Sequence, residues 1–378
     1  MTASEPTIAG QVRAAQAPSG ADVSVTAALG TGDGDAIPGG HAGQSIYRSL
    51  GRTGMQVSRI CVGCFNFSNP TPEDEADRMV RAALDAGINF FDTSGNYHQG
   101  ESERMLGRLV ARHAPRHQVV IATKAHFPIG PGPNDSGNSR LHLIRACEDS
   151  LKRLGTDYID LFQIHRASFD IPADESLGAL TDLVRQGKVR YIGASTHPAW
   201  KLMEALAVSE ARGFARYISE QPPYNLLDRR IENELVPMAQ AHGVGLIPFG
   251  PLAQGVLAGR YATHQTFPSD SRAARLASIF AERVNPRGIE VGRQLALLAA
   301  EHGLSAAQLA LLWVISQPGI TASIFGPRTA AQLIGVAPVQ SMQLTSELRA
   351  ACDRLVPPGS AVTDFHNASF WMKQVLQP

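Results

Sequence analysis

The sequence is short of the features that mark several common protein classes. It has only four cysteines in 378 residues, too few for a disulfide framework in a chain of this size. Lys and Arg total 34, Asp and Glu total 34, and the formal net charge is zero. With no basic run, this balance argues against a nucleic-acid partner. No apolar stretch approaches the ~18 uncharged residues that span a bilayer, so no membrane segment is expected. No G-x-G-x-x-G follows a strand. GTGDGD at 30–35 has neither a strand before it nor a helix after it, so it is not a phosphate loop. Two metal-like spacings also fail. Cys61 and Cys64 form a C-x-x-C inside the apolar run RICVGC, where packing is the expected role. His113 and His117 stand four apart, but Pro115 between them breaks the helix that would pair them, so no metal site is expected.

The chain is 44% hydrophobic, enough for one large barrel or two ordinary domains. Residues 1–45 are rich in Ala, Gly, Ser and Asp and have no basic start followed by an apolar run. They do not resemble a signal peptide, and the composition predicts a disordered extension. A cytoplasmic setting follows by default. From residue 46 onward the chain reads as one folded body. Ile46 to Ser58, with Gly51 and Gly54, carries a hairpin signal. Strands are expected at 59–63, 89–91, 119–124, 158–164, 189–194, 216–221, 244–249 and 321–326. Helices are expected between and after them, at 72–86, 101–113, 141–154, 175–186, 198–212, 230–242, 287–302 and 305–316. Thr71 is read as the cap of the first helix, with Pro72 at its first position. Eight strand–helix units, α/β in class, require right-handed crossovers and a parallel sheet, and they fit a (β/α)8 TIM barrel. A doubly wound open sheet would want a glycine-rich turn after the first strand, where the chain has Cys64-Phe65-Asn66-Phe67.

The stretch FFDTSGNYHQGESE, Phe90 to Glu103, holds the first candidate site residues. Asp92 stands where an apolar strand stops, and Tyr97 lies five residues on. Lys124 ends the next strand, and His165 follows the one after. Singly, Asp92 reads as a cap, Lys124 as a solvated charge, His165 as a core histidine and Tyr97 as loop packing. Together they occupy three successive strand ends, where parallel α/β folds keep their sites. The chemistry that fits is carbonyl reduction. A phenol of ordinary pKa, roughly 10, is a poor acid at neutral pH, and a neighbouring ammonium favours its phenolate. A carboxylate keeps that ammonium charged, and a histidine can orient the carbonyl oxygen or share the proton. No side chain supplies a hydride, so a nicotinamide cofactor is implied.

FFDTSGNY, IATK and YIDLFQIHR, in this order, resemble segments of the aldo-keto reductases, barrel enzymes that use NADPH, and the resemblance runs from about Ile46 to Leu355. The long third loop and GPNDSGNSRLHLIRACEDSLKRLGTDYIDLFQIHR resemble the branch with bacterial aldehyde reductases and potassium-channel β subunits. The resemblance implies a hairpin closing the barrel bottom and NADPH as cofactor. Ser195 and Thr196 in IGAST, together with Gln221, would hold the nicotinamide carboxamide, although the family usually has asparagine where Thr196 stands. Phe249 would stack on the nicotinamide. The loop Gly250-Pro251-Leu252-Ala253-Gln254-Gly255 would cradle the pyrophosphate with its amides. In FGPRTAAQL, beginning Phe325-Gly326, Arg328 and Gln332 would read the 2'-phosphate, while Val336 replaces a usual asparagine. Phe65, Phe67, His126, Phe127 and Arg166 are placed on the rim facing substrate. The function expected is NADPH-dependent reduction of an aldehyde or ketone, a small-molecule carbonyl being the partner. A sugar-nucleotide ketoreductase and a slow redox-sensing regulatory subunit are the alternatives. Oligomeric state is left open by the sequence.

Overall fold

The strands of the parallel sheet are largely apolar runs buried on both faces, as a parallel sheet covered by helices requires. The computed structural model describes residues 45–276 and 279–365. The expected extension, together with GTGDGD, lies outside the described residues up to residue 44. β1 (Tyr47–Ser49) and β2 (Gln56–Ser58) form the antiparallel hairpin. β3 (Ile60–Gly63), β4 (Phe90–Asp92), β5 (Val120–Ala125), β6 (Ile159–Ile164), β7 (Val189–Ser195), β8 (Tyr217–Gln221), β9 (Gly245–Leu246) and β10 (Ser323–Phe325) form one eight-stranded parallel sheet in the order β10-β3-β4-β5-β6-β7-β8-β9. Its two ends meet. Leu246 bridges Ile320 and Phe249 bridges Ile324, both parallel. The result is a (β/α)8 barrel with no free edge.

Helices α1 (Glu73–Asp85), α2 (Glu101–His113), α3 (Arg140–Leu154), α4 (Ala173–Arg185), α5 (Ala199–Arg212) and α6 (Leu235–His242) alternate with the strands. After β9 come the short α7 (Arg272–Leu276) and α8 (Ile279–Glu282), then α9 (Pro286–Glu301) and α10 (Ala306–Ile315). α11 (Ala330–Val336) and α12 (Ser346–Leu355) follow β10. Two hydrophobic clusters result. The outer one fills the layer between strands and helices. The inner one fills the barrel with Cys61, Phe90, Val120, Ala122, Leu161 and Ile247, joined from the hairpin by Leu50 and Val57. The two cysteines of the C-x-x-C divide between these layers, Cys61 inside and Cys64 outside. Burial pushes both thiols well above their ordinary range.

Several boundaries differ from the sequence expectations for identifiable reasons. Thr71 does not cap α1, because its hydroxyl donates to the Arg328 carbonyl (3.1 Å), and Pro72 takes the capping position without a side-chain bond. The helix expected over 230–242 splits into a tight turn, Arg230–Asn233, and α6. Pro237 restricts the break, since its missing N–H is tolerated only in a first turn. The strand expected over 244–249 shrinks to two residues. Pro248 cannot donate to the ladder, and its carbonyl instead accepts from Ile324 N (2.8 Å). His113 bonds Asp77 (2.9 Å) on the outer surface. Among the described residues no single helix is long and apolar enough to cross a membrane.

Candidate active site

Side chains alternate across a strand. The period that turns Phe90 into the barrel carries Asp92 with it, Val120 and Ala122 carry Lys124, and Leu161 carries Gln163 and His165. These side chains converge at the carboxyl ends of β4, β5 and β6. Lys124 Nζ donates to Asp92 Oδ2 (2.5 Å), to the Thr93 carbonyl (2.8 Å) and to the Tyr97 hydroxyl (3.4 Å). Both charged side chains are buried, Lys124 at 0% and Asp92 at 3% exposure. Burial opposes the Lys124 charge, but Asp92 and Tyr97 outweigh it and hold the ammonium above the ordinary lysine range. The second oxygen of Asp92 accepts from Gln163 Nε2 (3.1 Å) and Gln221 Nε2 (2.9 Å).

Tyr97 opens a tight turn, Tyr97–Gly100, in which His98 (φ 48°) and Gln99 (φ 57°) are both left-handed. That conformation costs a non-glycine residue about 1–2 kcal/mol. His98 Nε2 bonds the Phe65 carbonyl (2.9 Å), fastening the turn to the loop after β3. Gly100 (φ 87°) closes it where Arg153 occupies the space a Cβ would need. The Tyr97 ring meets Phe65 edge-on at 5.0 Å and His165 at 5.9 Å. Burial first, then the positive charges of Lys124 and Arg166, hold the His165 imidazole well below its ordinary pKa. Its Nδ1 pairs with Ser94 Oγ (3.1 Å), which leaves Nε2 for the cavity.

That cavity, about 940 Å³, runs across the strand ends. Asp92, Tyr97, His165, Arg166, Phe65 and Phe127 line one part of it; Lys124 lies behind Asp92 and Tyr97. Ser195, Thr196, Gln221 and Phe249 line the next part, followed by Gly250, Leu252, Gln254 and Gly255, then Gly326, Arg328 and Gln332. Phe67 is one exception. It is fully buried in the outer core and does not reach the cavity, because the chain turns away at Cys64–Asn66 and pairs Phe67 with Thr71. His126 also turns aside, bonding Asn138 (2.9 Å). Ser195 Oγ donates to the Gln221 carbonyl (2.9 Å), and Thr196 (φ 53°) receives Arg166 Nη1 (2.9 Å). Behind them Glu220 is fully buried. One of its oxygens accepts from His197 N (3.0 Å) and the other has no hydrogen-bond partner. Burial pushes this carboxyl up to about 8.

Sequence reasoning did not find several of these residues. Gln163 was reachable by counting two back from His165. Ser94 bears on His165 only through the fold. Arg260, Arg272, Arg275 and Arg283, all on the cavity wall, sit in the long connection after β9, where the short α7 and α8 interrupt a stretch without periodicity. Arg260 and Arg328 both bind Asp270 (2.6 and 3.0 Å).

A family model described as the aldo/keto reductase family matches residues 59–357. The chain belongs to that family. This reductase is 38% identical to the uncharacterized oxidoreductase YrpG of Bacillus subtilis, over 83% of this chain and 97% of the relative. It is 34% identical to a probable voltage-gated potassium channel subunit beta of Oryza sativa, over 76% and 89%. It is 32% identical to the L-glyceraldehyde 3-phosphate reductase of Escherichia coli O157:H7, over 84% and 94%. The family and these relatives make the chain an oxidoreductase of the carbonyl-reducing kind, and family members generally use NADH or NADPH.

Proposed function

We propose that this aldo/keto reductase reduces an aldehyde or ketone to an alcohol with NADPH, and that Tyr97 is the proton donor. One observation carries the reading. A buried ammonium, anchored by Asp92, sits 3.4 Å from a phenol hydroxyl that lines the cavity beside His165.

The cavity wall fits a nicotinamide dinucleotide. The ring of Phe249 offers an apolar face, and Ser195, Thr196 and Gln221 offer hydrogen-bonding groups beside it. Gly250 (φ 74°) has open space where a Cβ would stand, and Gly255 (φ 98°) is also left-handed. Between them Gln254 Oε1 is buried without a partner. Arg328 and Arg260 supply positive charge at this end. When bound, the cofactor supplies the hydride.

The remaining work falls to the chain. Tyr97 gives its proton to the carbonyl oxygen as that oxygen gains charge. Lys124 stabilises the phenolate left behind, and Asp92, held by Gln163 and Gln221, keeps Lys124 in place. His165, neutral at working pH, orients the carbonyl through Nε2 when the Ser94 hydroxyl donates to Nδ1. The test is loss of NADPH absorbance with a panel of aldehydes, ketones and sugar nucleotides. Turnover on at least one carbonyl, faster with NADPH than NADH, is expected. NADPH binding without turnover on any of them would favour a regulatory subunit and overturn the enzyme reading.

A further inference from the structure

Two arginines of the cavity wall, Arg166 and Arg283, are not used by this mechanism. Arg166 donates through Nη1 to the His165 carbonyl and to Thr196 Oγ1, both at 2.9 Å, and its guanidinium lies 5.4 Å from the Phe127 ring centre. Arg283 donates through Nη2 to the Phe365 carbonyl (3.2 Å), and its buried Nε has no hydrogen-bond partner. Its guanidinium lies 5.0 Å from the Phe365 ring and 5.7 Å from Phe280. Both residues are half-buried and line the same cavity as Tyr97 and His165.

No described carboxylate forms an ion pair with either arginine. Glu220, behind Thr196, favours charge on Arg166 but forms no ion pair with it, and burial pushes its own carboxyl up to about 8. The other nearby acids are engaged elsewhere. Asp228 and Asp364, which favour charge on Arg283, both bind Arg230 (2.6 and 2.8 Å). The acids on the cavity wall are Asp92, bound to Lys124, and Asp270, bound to Arg260 and Arg328. The Arg283 charge disfavours charge on Arg166, and Arg272 does the same to Arg283. Holding two cations in one half-buried cavity wall with no ion-paired carboxylate is costly, and a bound anion relieves that cost. The planar fork of arginine suits a carboxylate or a phosphate in particular. Arg260 and Arg328 already stand at the proposed cofactor-phosphate end. Arg166 adjoins His165 and holds Thr196, which puts it at the carbonyl end.

We infer that the carbonyl substrate carries a second, anionic group, a carboxylate or a phosphate monoester, gripped by Arg166 and Arg283 while its carbonyl lies against Tyr97 and His165. This rests on the reductase reading above, and the test separates the two. Turnover with NADPH is measured on matched pairs: para-formylbenzoate against its methyl ester, and glyceraldehyde 3-phosphate against glyceraldehyde. In at least one pair the anionic member should have the higher kcat/KM by on the order of 10- to 100-fold, the worth of charge-assisted hydrogen bonds, carried mainly by KM. The pair that shows it identifies carboxylate or phosphate. Arg283→Met should collapse the anionic-to-neutral ratio, and Arg283→Lys should restore part of it, which a merely structural role would not do. Turnover of neutral members with no anionic preference in either pair would overturn this inference and leave the reductase reading standing. Absence of turnover on every member, and on the wider panel of aldehydes, ketones and sugar nucleotides, would overturn the reductase reading. Calorimetric titration of the NADP-loaded protein with para-hydroxymethylbenzoate and its methyl ester then decides the arginine site. Tighter binding of the anion, lost in Arg283→Met, supports it, and equal binding overturns it.

Discussion

Replacing Lys124 by methionine tests the proposed proton donor most directly. The ammonium lies 3.4 Å from the Tyr97 oxygen. At an effective dielectric of ~20, a unit charge at that distance stabilises the phenolate left by proton donation by about 5 kcal/mol. Asp92, bound to the same ammonium at 2.5 Å, cancels part of this. If half survives, roughly 2–3 kcal/mol of barrier is at stake, or ~30- to 150-fold in turnover. The substitution also strands the Asp92 carboxylate, 3% exposed, and breaking a buried pair on one side destabilises by about 3–5 kcal/mol. A second variant separates the two effects. Lys124→Met with Asp92→Asn removes both charges and should recover most of the thermal stability while turnover stays low. Tyr97→Phe alone should cost ~10²–10⁴-fold, the usual worth of a positioned acid, with NADPH affinity nearly intact. Adding Lys124→Met to Tyr97→Phe should cost much less than Lys124→Met does alone, since groups acting as a unit are non-additive. The assay is steady-state loss of NADPH absorbance, with melting temperature and cofactor affinity as controls. Full activity in Tyr97→Phe would refute the donor assignment. Strict additivity would detach Lys124 from it.

Arg328→Ala should weaken NADPH binding by ~1.5–3 kcal/mol, the range for a charged hydrogen bond, and barely change NADH binding; equal losses in fluorescence titrations would contradict a 2'-phosphate role. For Glu220 the pH dependence has a definite sign. Its folded pKa of about 8 stands above the ordinary 4.5, so the folded state binds more protons between those values and stability falls as pH rises through that window. Glu220→Gln should therefore raise the melting temperature more at pH ~8 than at pH ~5, and an equal rise at both would remove burial of the charged form as the cause.

The barrel was legible because its signals are local. Apolar runs of strand length alternating with amphipathic helices recur along the chain, and one period of alternation predicts which face each strand buries. The limits of α2 follow from its sequence because Gly100 and Ala114-Pro115 flank an apolar stripe with no competing partner. The expectation for Thr71 missed because a hydroxyl that can cap can equally bond a carbonyl brought up from residue 328. Phe67 missed because a rim and a core differ only in which way one turn faces.

For the site, the sequence alone named four residues that the fold brings together, Asp92, Tyr97, Lys124 and His165. A carboxylate, a lysine and a histidine at successive strand ends, with a tyrosine in the loop between, are informative before any coordinate is known. That Ser94 reaches His165, that Gln163 and Gln221 share the same oxygen of Asp92, and that Arg166 and Arg283 line one cavity were decided by tertiary structure only. Residues 117 positions apart in the chain, as the last two are, share a wall because the barrel closes and the loop after β9 folds back over its mouth. Such proximity depends on the path of a loop with no periodicity of its own, and side-chain pattern carries no record of that path.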